Sequence, residues 1–152
     1  MNPPSVIKNP NPLLRQRSLE ISDEDIASPE MDELIQSLHE TMEQENGIGI
    51  AAPQIGVSKR MILVDQGSGP NVFFNPCIVS GSWRKKEFIE EGCLSVPGVW
   101  GFVKRHTHVK IRALNRHGDP VVVRARGLEA VVFQHEIDHL DGILFIDKVT
   151  RF

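Results

Sequence analysis

Cysteine is scarce in this chain: Cys77 and Cys93 are the only two among 152 residues. Two thiols make no disulfide framework. A reducing cytosol is the compartment that suits them, and there a thiol is more often catalytic or metal-bound than structural. Long apolar runs are missing as well. No stretch approaches the roughly 18 apolar residues needed to cross a bilayer, so no membrane partner is expected. The opening MNPPSVIKNPNP lacks both the apolar run of a secretory signal and the Arg/Ser richness of a transit peptide; a cytoplasmic location is the expectation. A basic excess is lacking too. Lys and Arg number 17 against 20 Asp and Glu, a net charge of −3, which weighs against a dedicated nucleic-acid binder. No direct nucleic-acid site is expected. What remains is an ordinary globular composition, 40% hydrophobic and 24% charged, long enough for a single domain over 1–152 with its own core.

Residues 1–27 read as an irregular, Pro-punctuated lead-in. A helix is expected from Ser28, a good N-cap residue, with Pro29 at the first helical position. Met31, Leu34, Ile35, Leu38 and Met42 recur at steps of three and four, so one face is core. Asn46-Gly47 is a C-terminal stop. The segment GIGIAAPQIG (47–56) is small and loop-like. MILVD (61–65) and NVFFNPCIVS (71–80) read as strands around the turn GSGP, and WRKKEFI as a further strand. In 108–114, Val109, Ile111 and Ala113 alternate with Lys110 and Arg112; NRHGDP turns the chain and VVVRA returns as its partner. Gly127-Leu128 opens a second helix that runs to about Leu140, with Gly142 past its end. Strands that precede a single late helix, without βα alternation, indicate an α+β fold: mixed or antiparallel sheets wrapped around that C-terminal helix, with one N-terminal helix.

The late helix carries the strongest chemical signal, His135-Glu136-Ile137-Asp138-His139. Residues four apart share a helix face, so both imidazoles can reach one ion. Glu136 sits about 100° round from His135 at 3.6 residues per turn, beside the ion without being a ligand. Two histidines on a solvated helix would show the same spacing, but Leu128, Val131 and Val132 put the neighbouring face in the core, where an unpartnered pair is costly. A catalytic site usually needs three protein ligands and an open position. His106, His108 and His117 belong on a solvated face around the strand–turn–strand segment, and His39 on the polar side of the first helix. Cys77, inside an apolar run after Asn75-Pro76, reads as a core thiol. Cys93 differs: in Glu91-Gly92-Cys93-Leu94-Ser95 a glycine allows close backbone approach, and a carboxylate lies two residues before.

GIGIAAPQ (47–54), EGCLS (91–95) and QHEIDH (134–139), in this order, resemble the three signature motifs of peptide deformylases. The NP of FFNP, the KIRALNRHG turn and the closing LDGILFID also have counterparts there, so the resemblance spans nearly the whole chain. It implies that Cys93, His135 and His139 hold one divalent metal ion, natively Fe²⁺, with Zn²⁺, Ni²⁺ or Co²⁺ as substitutes. Glu136 matches the catalytic acid/base. Gln54 and the main-chain N–H of Leu94 match the donors to the formyl oxygen. Ile48, Gly49 and Ile50 match the edge that pairs with substrate backbone. Gly92, Val131 and Val132 match positions around the methionine pocket, and Arg105 matches a partner of Glu91. The implied substrates are N-formyl-Met nascent peptides, with transient ribosome association.

Two departures from the resemblance stand out. Phe152 comes thirteen residues after His139, whereas many bacterial relatives continue into a longer C-terminal helix. Trp100, followed by a turn at Gly101, stands where some relatives carry a basic residue; it would pack on the substrate chain or anchor at the surface. A metallopeptidase of the HExxH type would take a downstream His or Glu as third ligand, and residues 140–152 offer neither. A metal-binding module without catalysis would be expected to lack Glu136 or Gln54, and both are present.

Overall fold

A computed structural model describes residues 3–152; residues 1 and 2 of the expected lead-in lie outside the described residues. The lead-in is less irregular than its sequence suggested. It contains a 3-10 turn at Pro12–Arg15 and a short helix α1, Asp23–Ile26, capped by the Ser22 hydroxyl. Helix α2 follows over Pro29–Gln44. Ser28 holds the N-cap position, yet its hydroxyl donates to the Asp25 carbonyl instead of capping α2. The helix stops where expected. Asn46 adopts a positive φ of 55°, the Gly47 N–H donates to the Met42 carbonyl, and that of Asn46 to Glu43. This paired closure satisfies the last carbonyls of the helix.

The expected loop after α2 begins as a strand, β1 (Gly49–Ala51), and ends as a 3-10 turn at Ala52–Ile55. Then come β2 (Met61–Asp65), β3 (Pro70–Gly81), β4 (Lys85–Cys93), β5 (Val96–His106), β6 (His108–Leu114) and β7 (Pro120–Arg126). Helix α3 (Leu128–Leu140) and a last strand β8 (Val149–Arg151) complete the chain. One sheet has the order β1-β2-β3-β6-β7 and the other β4-β5-β8; all pairings between these strands are antiparallel.

Helix α3 is buried against one face of the five-stranded sheet. Ala130, Phe133, Ile137 and Leu140 meet Ile62, Phe73, Val109 and Ile111 in one cluster. Helix α2 covers part of the opposite face, with Met31, Leu38 and Met42 against Ile50, Leu63 and Phe74. This two-sided cover explains why β2 is buried at four successive positions rather than alternating. The smaller sheet closes a third cluster with Leu14, Leu144 and Phe145. Together the two sheets embrace α3, the arrangement expected from the sequence.

Two local expectations are corrected. Cys77 is exposed, not a core thiol. Asn75 takes a positive φ of 49° and its amide brackets Ile21, accepting from that residue's N–H at 2.8 Å and donating to its carbonyl at 2.9 Å. The pairing with β6 shifts between Phe74 and Cys77, so this bulge resets the alternation and turns the thiol outward. Gly101 marks no turn. It lies within β5, where a Cβ would stand 2.9 Å from the Val149 side chain; the glycine lets β8 pack closely.

Candidate metal centre and cleft

Cys93 is the last residue of β4. The two-residue turn Leu94-Ser95 reverses the chain, and Cys93 pairs across it with Val96 of β5. His135 and His139 stand one turn apart on α3, their ring centroids 5.1 Å apart. The fold brings these three residues together: one donor atom from each lies within 4.8 Å of the others, and Cys93 Sγ is 3.2 Å from His139 Nε2. A thiol with two imidazoles suits a borderline transition-metal ion. His135 is oriented by a carboxylate, as metal-ligating imidazoles commonly are: its Nδ1 donates to Glu91 Oε1 at 3.2 Å. The residues present therefore fit a single divalent ion.

Behind the trio lies a buried ion-pair network. Arg105 of β5 donates from Nε to Glu91 Oε2 at 3.0 Å and from Nη2 to Oε1 at 2.8 Å. Its third nitrogen, Nη1, reaches Asp138 Oδ2 of α3 at 2.7 Å. Burial works against ionising Glu91, but hydrogen bonds from His135 and Arg105 outweigh it and hold this carboxyl below its ordinary range. For His135, burial would lower the pKa; hydrogen bonds to Cys93 and Glu91 prevail and lift it to about 10. His139 goes the opposite way, lowered by burial first and then by the positive charges of His135 and Arg105. Asp138 was not singled out from the sequence. Its signal was present: it lies three residues after His135 and so on the same side of the helix as the groups that support the site.

Glu136 is 6% exposed, and burial pushes its carboxyl up to about 7. Its Oε1 is buried without a protein partner, a costly condition that marks a place for a further group; His139 Nδ1, on the side of the ring away from Cys93, is also unpartnered. Gly49 of β1 makes room for this carboxylate: a Cβ there would stand 2.9 Å from both Glu136 Oε2 and Val132 Cγ1. Gln54 is held at both ends of its amide. Oε1 accepts the Ala51 N–H at 3.0 Å, while Nε2 donates to Ser95 Oγ at 3.2 Å and lies 3.8 Å from Cys93 Sγ.

A cleft of about 530 Å³ opens over these groups. Ile48 and Gly49 line one wall, Gly92, Leu94 and Trp100 another, and Val131, Val132, His135 and Glu136 of α3 the floor. Trp100 is 58% exposed and its ring lies over Gly92, where any Cβ would collide with it at 2.4 Å. The Ile50 side chain is fully buried in the α2 cluster, so this residue offers its backbone to the edge. Leu128 departs from expectation: 48% exposed, it belongs to the cleft and not to the core. Among the described residues, β1 is the edge strand of its sheet, paired with β2 alone. His108 and His117 are exposed, as expected, and His106 is half-buried with Nδ1 on the Ser82 carbonyl. His39 is half-buried on α2, beside Glu43.

The family model described as polypeptide deformylase matches residues 3–152. A peptide deformylase of Desulforudis audaxviator is 46% identical over 146 residues, covering 95% of this chain and 92% of the relative. One from Carboxydothermus hydrogenoformans is also 46% identical over 146 residues, covering 96% and 93%. Among solved structures, the Met-Ala-Ser-bound class I type b peptide deformylase of Acinetobacter baumannii superposes with a TM-score of 0.92 at 35% identity, covering 96% of this chain and 98% of that one. Sequence and fold thus agree over nearly the full length, and this chain, an enzyme, belongs to the polypeptide deformylase family.

Proposed function

We propose that this enzyme removes the N-formyl group from the N-terminal formyl-methionine of newly made polypeptides, releasing formate. The observation that carries the reading is the convergence of Cys93, His135 and His139 beneath a cleft that Glu136 also lines, one of its carboxyl oxygens buried and unpartnered. The three would hold one divalent ion, Fe²⁺ natively, with Zn²⁺, Ni²⁺ or Co²⁺ able to replace it; affinity order alone would favour Zn²⁺ over Fe²⁺, so supply in the cell decides. A cation bound there supplies Lewis acidity, drawing the pKa of a water molecule from roughly 15.7 toward about 7.

The chain's own groups do the rest. Glu136, with a carboxyl near neutrality, takes the proton of the attacking water and returns it to the departing amine nitrogen as the C–N bond breaks. Such a role is typically worth about 10²–10⁴-fold. Gln54 Nε2 and the Leu94 N–H donate to the oxygen that gains charge, and one such donor is worth roughly 2.7–4 kcal/mol. Gln54 is suited to this because Ala51 fixes its carbonyl end. The free edge at Ile48, Gly49 and Ile50 pairs with an extended substrate backbone, a mode that tolerates varied side chains. Gly92, Val131 and Val132 bound the space for the methionine side chain, and Trp100 packs on the peptide beyond it. The Acinetobacter structure's bound Met-Ala-Ser supports an extended Met-initiated peptide as ligand.

No helix among the described residues is long and apolar enough to cross a membrane. On this reading the enzyme would work in the cytoplasm, in transient contact with ribosomes that release its substrates. The test is formate release from a formyl-Met peptide by protein loaded with Fe²⁺ or Ni²⁺, with and without oxygen, alongside metal analysis. One metal per chain and steady formate production are expected, with none from an acetyl-Met peptide. A metal-loaded protein that leaves formyl-Met peptides intact would rule the reading out.

A further inference from the structure

The outward face of β6 and β7 carries an arrangement that the reaction does not use. Val109, Ile111 and Ala113 enter the core beneath α3, so the alternate residues His108, Lys110 and Arg112 point away from it. An unbroken register with β7 sets His108 opposite Arg126 and Lys110 opposite Arg124. Basic side chains directly across a strand pair repel one another and cost stability. Among the described residues, none of Lys110, Arg112, Arg124 and Arg126 forms an ion pair. His108, Lys110, Arg124 and Arg126 line a groove of about 460 Å³ with Ser80 and Ser82 along its side.

The turn from β3 to β4 begins at this groove, and it is pinned. Ser82 Oγ accepts the Thr107 N–H at 2.9 Å and donates to the Arg84 carbonyl at 2.7 Å, while the Ser82 N–H donates to the His108 carbonyl at 2.9 Å. Trp83, held by this turn, is nevertheless 100% exposed. Burying an indole would remove roughly 150–250 Å² from water, so a fixed turn that holds one outward forgoes a large gain. A positively charged groove for a phosphate backbone, with an aromatic face for a base, is the usual means of gripping a single strand of nucleic acid.

We propose that this face docks single-stranded RNA, with phosphates along Lys110, Arg112, Arg124 and Arg126 and a base stacked on Trp83. The choice of RNA over an anionic membrane rests on the proposed function, since a nascent chain is met at an RNA-rich particle. Besides Trp83 the strand face offers only the β-branched Val122, short of the row of Trp, Phe and Leu that sinks an interfacial surface into lipid. The sheet separates the groove from α3, so RNA there leaves the cleft open to substrate.

The holoenzyme would be titrated into a labelled RNA of roughly 12 nucleotides, within the usual footprint of such surfaces, over a salt series. Trp83→Ala and Lys110→Gln/Arg124→Gln would be compared with the parent. The parent should bind with Kd of about 10⁻⁴–10⁻⁶ M at physiological salt. The charge variant should bind ~10-fold or more weakly, with a log–log salt slope shallower by about 1.4, at roughly 0.7 per phosphate contact on a single strand. Trp83→Ala should bind on the order of 5–100-fold more weakly, and the quenching of tryptophan fluorescence by RNA should disappear. Both variants should release formate as fast as the parent, which shows that they are folded. An unchanged Kd in either variant overturns the proposal, as does a parent that binds phosphatidylserine vesicles and not RNA. Absence of formate release in the parent would strike the functional reading and leave the RNA titration to be judged on its own.

Discussion

Cys93 and Cys77 show how little a residue's identity says without its surroundings. Cys77 sits in an apolar stretch of sequence, and Cys93 two residues after a glutamate. Cys93 ends a strand under a cleft, facing two imidazoles, while Cys77 is turned to solvent by a bulge that Asn75 anchors through Ile21. Alkylation should separate them. Cys77 should react at the same rate with or without metal, and Cys93 should react only after chelation, since a ligand thiolate is protected. Equal labelling of Cys93 in both states would contradict its place in the centre. Gly49 offers a second test. Alanine there brings a Cβ to 2.9 Å from Glu136 Oε2, and displacing a reacting group by about 1 Å can cost on the order of 10²-fold. Gly49→Ala should lose about that much in kcat with metal content unchanged; unaltered turnover would mean that the Glu136 position is not critical. The motif glycines and the HExxH spacing were legible in the sequence. The outward turn of Cys77 was not, because a bulge depends on a backbone angle that asparagine permits but does not dictate.

Among the elements, α2 was readable from its period, because it is amphipathic against one sheet face. Helix α3, embraced by both sheets and buried on most sides, was readable only from its end signals and its motif. The β4–β5 hairpin was only half visible. Pro97, Gly98 and Gly101 disguise β5 as loop, and its glycine is explained by β8, a three-residue strand that exists only through its partner. Yet this hairpin delivers Cys93, and Arg105 ties it to α3 by gripping Glu91 and Asp138 together. The pairing of Arg105 with Glu91 was expected from the resemblance; the bridge to Asp138 needed the fold. Breaking a buried pair from one side typically costs about 3–5 kcal/mol. At roughly 2–4 °C per kcal/mol for a chain of this size, Glu91→Ala should melt about 6–20 °C lower. It should also retain metal poorly, because His135 loses the acceptor that orients it. A variant with parental Tm and full metal content would show that the network neither ties the hairpin to α3 nor supports the centre.

For the molecule as a whole, composition bounded the class of protein but averaged away its surface. A net charge of −3 coexists with a strand face on which four basic side chains lack ion-pair partners among the described residues, because charge is summed over the chain while recognition happens on a patch. The reacting groups could be named from sequence because they come as short, fixed spacings. Their poise could not, because the burial that lifts Glu136 to about 7 is supplied by β1, α3 and the hairpin together. The central claim is that Glu136 moves protons while Cys93, His135 and His139 hold the ion, and Glu136→Gln tests it most directly when kcat and metal content are measured on one preparation. The substitution keeps the shape and removes the base. The account expects parental metal content and peptide binding, with kcat lower by about 10²–10⁴, equivalent to roughly 3–5 kcal/mol of lost transition-state stabilisation. A metal-free Glu136→Gln protein, or one that turns over at nearly the parental rate, would contradict it.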